Sequence, residues 1–219
     1  MNQIIYPEKV ESNIISYKNN QIKKKKIYKS LFIFSLFAFI IFISYYMFLY
    51  FRLLKKEKVS KNILGVYDIQ RLYSINAPVV LPNVILENGE SADVLGVIQI
   101  EKINLRYPIL SKTTDDFLEI APCKFYGGNL NDYGNFCIAG HNYDNNELFS
   151  NLKFLEINDI IKVYNLDGSY VAYKIYYKFE TVASDTSCIK QNESIKEITL
   201  ITCNNSNKKR LIIKAKQNR

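Results

Sequence analysis

Ile195-Lys196-Glu197-Ile198-Thr199-Leu200-Ile201-Thr202-Cys203, then Asn204-Asn205-Ser206-Asn207-Lys208-Lys209, then Arg210-Leu211-Ile212-Ile213-Lys214-Ala215, is the stretch on which the fold turns. Its ends are rich in β-branched and aliphatic residues and its middle is all turn-forming or charged, so it predicts an antiparallel hairpin with strands at Ile195–Thr202 and Arg210–Ala215. Opposed residues on neighbouring strands lie about 4.5–5.5 Å apart, which puts Arg210 beside Cys203 at the strand ends. A thiol closing an apolar strand is a candidate nucleophile. The chain has one histidine, His141, and so one candidate imidazole base.

Upstream, the same pattern recurs at Val94–Ile100, Asn104–Leu110, Phe136–Gly140, Asp159–Tyr164 and Tyr170–Phe179. Short strands bounded by Gly, Asn and Asp favour a mostly β domain, a barrel or sandwich, over a βαβ array. Two short helices fit between them. Thr114–Glu119 offers an N-cap followed by Asp115 and Asp116, and Asn145–Leu152 offers a second. His141 follows the strand Phe136–Gly140 and opens a polar loop, so it stands at a barrel rim as Cys203 does.

The N-terminal third reads differently. Ser30 to Phe51 carries no charge and is almost wholly Leu, Ile, Phe, Ala, Met and Tyr. At 1.5 Å per residue, its roughly 33 Å crosses a hydrocarbon core of about 30 Å. A cleavable signal has a shorter apolar core and a small-residue cleavage site, whereas here Arg52-Leu53-Leu54-Lys55-Lys56 follows. The chain therefore divides into a basic cytoplasmic tail at 1–29, a transmembrane helix at 30–51, a linker at 52–92 with the turn signals Gly65, Ala77-Pro78 and Asn88-Gly89, and a globular domain at 93–219. Lysines flank both ends of the span, so the positive-inside rule leans only slightly toward an inside N-terminus and an external domain.

Charge and cysteine content exclude other classes. The net charge of +8 suggests nucleic acid until it is located: residues 1–61 hold 12 basic and 3 acidic residues, leaving 17 and 18 in the remainder. The basic excess flanks the membrane, where anionic headgroups attract it. Cys123, Cys137, Cys188 and Cys203 contain no C-x-x-C pair, and with one histidine no usual Cys/His zinc site can be built. No metal and no cofactor are expected. Cys137, within Asn135-Phe136-Cys137-Ile138-Ala139, reads as a small buried hydrophobe.

A Cys–His–Arg constellation supports acyl transfer through a thioester. The thiolate attacks a carbonyl, the imidazole protonates the leaving amine, and the guanidinium stabilises an oxyanion or holds the carbonyl. Each residue alone has a plainer reading, as a buried inert thiol, a structural histidine or a solvated hairpin charge. Their joint arrangement carries the chemistry.

These residues resemble the sortases, membrane-anchored cysteine transpeptidases of Gram-positive bacteria. Thr199-Leu200-Ile201-Thr202-Cys203 is similar to the family's TLxTC signature, Arg210 stands where its catalytic arginine does, and Ala139-Gly140-His141-Asn142 resembles its strand-end histidine motif. The resemblance covers roughly residues 90–219, beginning with Gly96-Val97-Ile98-Gln99-Ile100. It implies an eight-stranded β-barrel with short helices, Cys203 as nucleophile, His141 as general acid/base, Arg210 as transition-state or substrate stabiliser, Thr202 in the substrate groove and the loop Ala183–Ser194 in the sorting-signal pocket. The implied reaction cleaves an LPxTG-like C-terminal sorting signal of secreted proteins and transfers them to a cell-wall amine, such as a peptidoglycan precursor. No aromatic lid motif precedes the barrel and no second span follows it, which favours protein anchoring over pilus polymerisation, and the short loops before and after Cys203 resemble those of a class A or class D enzyme more than a class B one.

Two alternatives differ in class. An L,D-transpeptidase also uses Cys and His, but in a Ser-x-Gly-Cys-like setting with a further histidine, and Thr202 precedes Cys203 here. A membrane-tethered, catalytically inactive binding module would keep the barrel and leave Cys203 unreactive.

Overall fold

The computed structural model describes residues 7–73, 80–81, 83–143, 146–204 and 209–218. Residues 144–145 and 205–208, and with them Asn145 of the second expected helix and the tip of the expected hairpin, lie outside the described residues, as do Ala77 and Pro78. The chain forms two units, Met1–Arg52 and Leu53–Arg219. A helix, α1 (Pro7–Tyr73), contributes to both.

In the first unit α1 carries the apolar stretch. Its Leu, Ile and Phe side chains are exposed all round, with Phe34 72% and Phe48 64% exposed. A helix apolar on every face belongs in a protein core or a bilayer, and nothing in this unit covers it. It is a candidate membrane span.

The second unit is built on ten strands: β1 (Val84–Ile85), β2 (Ser91–Ala92), β3 (Val94–Ile100), β4 (Leu105–Leu110), β5 (Cys123–Tyr126), β6 (Gly134–Ala139), β7 (Ile160–Tyr164), β8 (Tyr170–Thr181), β9 (Lys196–Asn204) and β10 (Lys209–Gln217). β1 and β2 pair as a small hairpin, and the other eight close into a barrel in the order β10-β8-β7-β3-β4-β5-β6-β9. The pairs β4–β5 and β6–β9 are parallel and the rest antiparallel. The eight-stranded barrel expected from the sequence is the barrel observed.

Strand alternation explains the core. Ile198 and Leu200 of β9 point inward with Ile138, Ile175, Leu211 and Ile213, all within the largest apolar cluster. The opposite face of β9 is buried too: Ile201 packs with Cys137, Cys188 and Ile212 beneath the loop between β8 and β9. This is why Ile198–Thr202 lacks the apolar–polar alternation of a solvent-facing strand. Thr199, on the outer face, is fully buried and its hydroxyl donates to Asn135 Oδ1 at 2.7 Å.

The stretch 52–92 is not the linker expected. Residues 53–73 are helical and one stripe of them packs into the unit: Ser60, Ile63 and Tyr67 are buried at spacings of three and four. Ile63 joins Val84, Ala92, Val94, Leu110 and Phe117 in a second apolar cluster. Polar stitches run along the same segment. Ser60 donates to Ile120 O, Tyr67 to Asn165 O at 3.1 Å and Arg71 to Asp167 O at 2.8 Å, while the two terminal guanidinium nitrogens of Arg106, Nη1 and Nη2, donate to the Asp68 carboxylate. Burying Ile63 and Tyr67 contributes about 1.5–3 kcal/mol each relative to exposure. Lysine-rich surroundings and Gly65 hide this periodicity in the sequence.

The first expected helix forms as α2 (Asp115–Leu118), with Thr114 as N-cap accepting from Phe117 N–H. The second is a 3-10 helix at Ser150–Phe154, not an α-helix over Asn145–Leu152. Leu148, with φ of 49°, breaks regular helical backbone just before it.

Candidate active site at the barrel rim

Two strand pairings assemble the site. On one side of β9, the antiparallel register with β10 sets Arg210 opposite Cys203. On the other, the parallel register with β6 sets Ala139 opposite Ile201. His141 lies two residues past Ala139, as Cys203 lies two past Ile201. Three bonds carry this register past the strand ends: Gly140 N–H to Ile201 O at 3.1 Å, Thr202 Oγ1 to Gly140 O at 2.7 Å, and Asn142 Nδ2 to Cys203 O at 2.9 Å.

Arg210 and Cys203 are in contact. The Nη1 group donates to Sγ at 3.0 Å, and both side chains are half-buried. This contact places a fixed cation directly against the sulfur. The other three cysteines are buried. Burial pushes the thiols of Cys123 and Cys137 up to about 12 and raises that of Cys188, so all three stay protonated at neutral pH.

His141 is half-buried, and burial is the largest influence on it, holding its proton affinity below that of an ordinary imidazole. Asp115, at the start of α2, pulls the other way, while the Arg210 and Lys56 cations push it further down. The ring lies tilted against Tyr143, centroids 5.1 Å apart. Its backbone is pinned by Phe149 N–H, which donates to His141 O at 3.0 Å. Gly140 allows this closeness: a Cβ there would stand 2.6 Å from the Phe149 ring.

Thr202, expected in the substrate groove, is 1% exposed and its hydroxyl is committed to Gly140 O. It braces the cysteine strand against the histidine strand. Together with Cys203, Asn142, Phe149, Lys178 and Glu180 it also borders a cleft of about 260 Å³. The loop Ala183–Ser194 stands over the outer face of β9, tied down where Asn135 Nδ2 donates to Cys188 O and Gln191 bonds both backbone groups of Asn135.

Sequence reasoning missed Asn142, Asp115 and Lys56. Asn142 adjoins His141 in sequence but reaches Cys203 O only through the β6–β9 pairing, and the other two come near only through tertiary packing. Among the described residues no group of three or more His, Cys, Asp or Glu side chains could hold a metal ion.

Comparison with known proteins agrees with this architecture. A model of the Sortase domain matches residues 98–218. A Clostridium perfringens Sortase D5 transpeptidase is similar at 30% identity over 75% of this chain and 99% of its own, with a TM-score of 0.57. Sortase A from Corynebacterium diphtheriae, a lid mutant, is 26% identical over 61% of this chain and 74% of its own, at a TM-score of 0.54. Sortase A of Listeria monocytogenes shares the fold at 21% identity, 57% and 88% coverage and a TM-score of 0.53. No match is found among curated proteins. With the family model spanning more than half its length and a sortase-type barrel carrying His, Cys and Arg on one rim, the chain belongs to the sortase family.

Proposed function

We propose that this protein is a cysteine transpeptidase of the cell surface, with Cys203 as nucleophile, His141 as general acid and base, and Arg210 as stabiliser of the developing oxyanion. The observation that carries the reading is the 3.0 Å contact from Arg210 to Sγ on a rim shared with His141. The Cys203 thiolate attacks the scissile carbonyl of a sorting signal, the C–N bond breaks, and His141 gives its proton to the departing amine. The resulting thioester is attacked by an acceptor amine, which passes a proton to His141 as the C–S bond breaks and the Cys203 thiolate is released. Thr202 borders the groove, and the loop Ala183–Ser194 is its outer wall.

The substrates in this reading are secreted proteins with an LPxTG-like C-terminal signal, and the acceptor is an amine of a peptidoglycan precursor. The candidate span anchors the protein in the cell membrane with residues 1–29 in the cytoplasm and the domain outside. Cleavage of a fluorogenic sorting-signal peptide by the unmodified chain, lost in Cys203→Ala and kept in Cys123→Ala and Cys188→Ala, tests the chemistry. Retained turnover in Cys203→Ala sinks it. Degradation of the domain by external protease on intact protoplasts tests the orientation, and full protection reverses it.

A further inference from the structure

The family model begins at residue 98, yet the docked part of α1 reaches the catalytic rim from outside that stretch. Its first two turns meet both segments that flank His141. Toward α2, Lys56 pairs with Glu119, the residue after the helix, and Ser60, 1% exposed, donates to the next carbonyl, Ile120 O. Toward the loop after His141, the Glu57 carboxylate, paired with Lys61 at 2.6 Å on its own helix, lies beside Glu147. The same loop is held from the barrel by Leu148 N–H donating to Tyr107 Oη at 3.3 Å and from His141 itself by the Phe149 bond.

We propose that residues 56–60 of α1 are a working part of the catalytic mouth: Lys56, Glu57 and Ser60 position α2 and the 146–150 loop around His141, and with them the charges that meet the imidazole. This rests on the reading of His141 as the acid–base residue. Lys56, Glu57 and Ser60 are positioning residues, since His141 performs the proton transfers. The side chain of Lys56 is 17% exposed, so its cation is poorly screened by water. The charges acting on His141 come from α2 (Asp115), β10 (Arg210) and α1 (Lys56), and of these only the α1 charge lies outside residues 98–218.

Because His141 is the only histidine, its ring signals in the 13C-histidine-labelled full chain in detergent micelles need no assignment. Removing the Lys56 cation relieves repulsion of the imidazolium, so Lys56→Met raises the titration midpoint of His141. Lys56→Arg leaves it in place, Asp115→Asn lowers it, and Lys55→Met, at an exposed lysine paired with Glu87, does not move it. Ser60→Ala removes the bond to Ile120 without removing a charge. It should cut kcat on the sorting peptide roughly tenfold at nearly constant KM, a fraction of the ~10²–10⁴ that a positioned acid–base group supplies. A melt near that of the unmodified chain establishes that each variant is folded. An unmoved midpoint in folded Lys56→Met, or an unchanged kcat in folded Ser60→Ala, overturns the inference. If the unmodified chain turns over no peptide, the transpeptidase reading fails while the titration still judges Lys56.

Discussion

Ala139 of β6 lies opposite Ile201 of β9 in parallel register, so His141 and Cys203 leave the barrel side by side although 62 positions separate them in the chain. Cys203 then meets Arg210 across the antiparallel pair on its other flank. One strand, β9, thus stands between β6, which ends two residues before His141, and β10, which carries Arg210 as its second residue.

A thiol-directed reagent at neutral pH should modify one residue in the native protein. Cys123 and Cys137 are sealed in apolar surroundings with thiols pushed up to about 12, while Cys203 is partly exposed beside a guanidinium. Peptide mapping after brief iodoacetamide treatment should find the label on Cys203. Faster labelling of any buried cysteine contradicts the assignment.

Arg210 should tolerate no replacement. Lysine keeps the charge but loses the planar fork of donors, so Arg210→Lys should lower turnover of a sorting peptide by about 10²–10³, the scale of removing one oxyanion-hole donor. Near-normal turnover in folded Arg210→Ala would exclude Arg210 from the reaction.

His141 should titrate below the ordinary histidine value of 6.5. Burial and the Arg210 and Lys56 cations all disfavour the imidazolium, and together they exceed the pull of Asp115. The sign follows: the neutral ring is favoured on folding, so this group's contribution to stability is present above pH 6.5 and is lost as pH falls through the depressed folded value. A midpoint at or above 6.5 in the folded chain would refute this.

Gly140→Ala should destabilise the rim. The added Cβ would overlap the Phe149 ring at 2.6 Å, and Phe149 N–H holds His141 O. Overpacking of this kind costs about 1–3 kcal/mol. A thermal melt should fall and turnover with it. Phe149→Leu in the Gly140→Ala background, by vacating part of the ring's space, should recover some of the lost melting temperature, and no recovery would place the clash elsewhere.

Most of the barrel was legible because its strands carry strong β patterning. Val94–Ile100 forms as expected, and the hairpin of β9 and β10 extends the expected strands by one or two residues at most ends. β5 was missed because it is four residues long, with a register shift between Lys124 and Tyr126. The docked α1 segment was missed because only a narrow stripe of a lysine-rich sequence is buried. At the site, Cys203 and Arg210 could be paired from hairpin geometry alone. The adjacency of His141 could not, since a parallel pairing of distant strands leaves no local trace.

That parallel pairing also ties the rim to the completeness of the barrel. β6 and β9 are separated along the chain by β7 and β8, and contacts of such long sequence separation are slow to form because loop-closure entropy must be met first. A chain in which β6 and β9 have not yet paired therefore holds the Cys203 thiol and the His141 imidazole apart. Under the proposed chemistry, a chain with an unclosed barrel would carry all three side chains and still lack the trio they form.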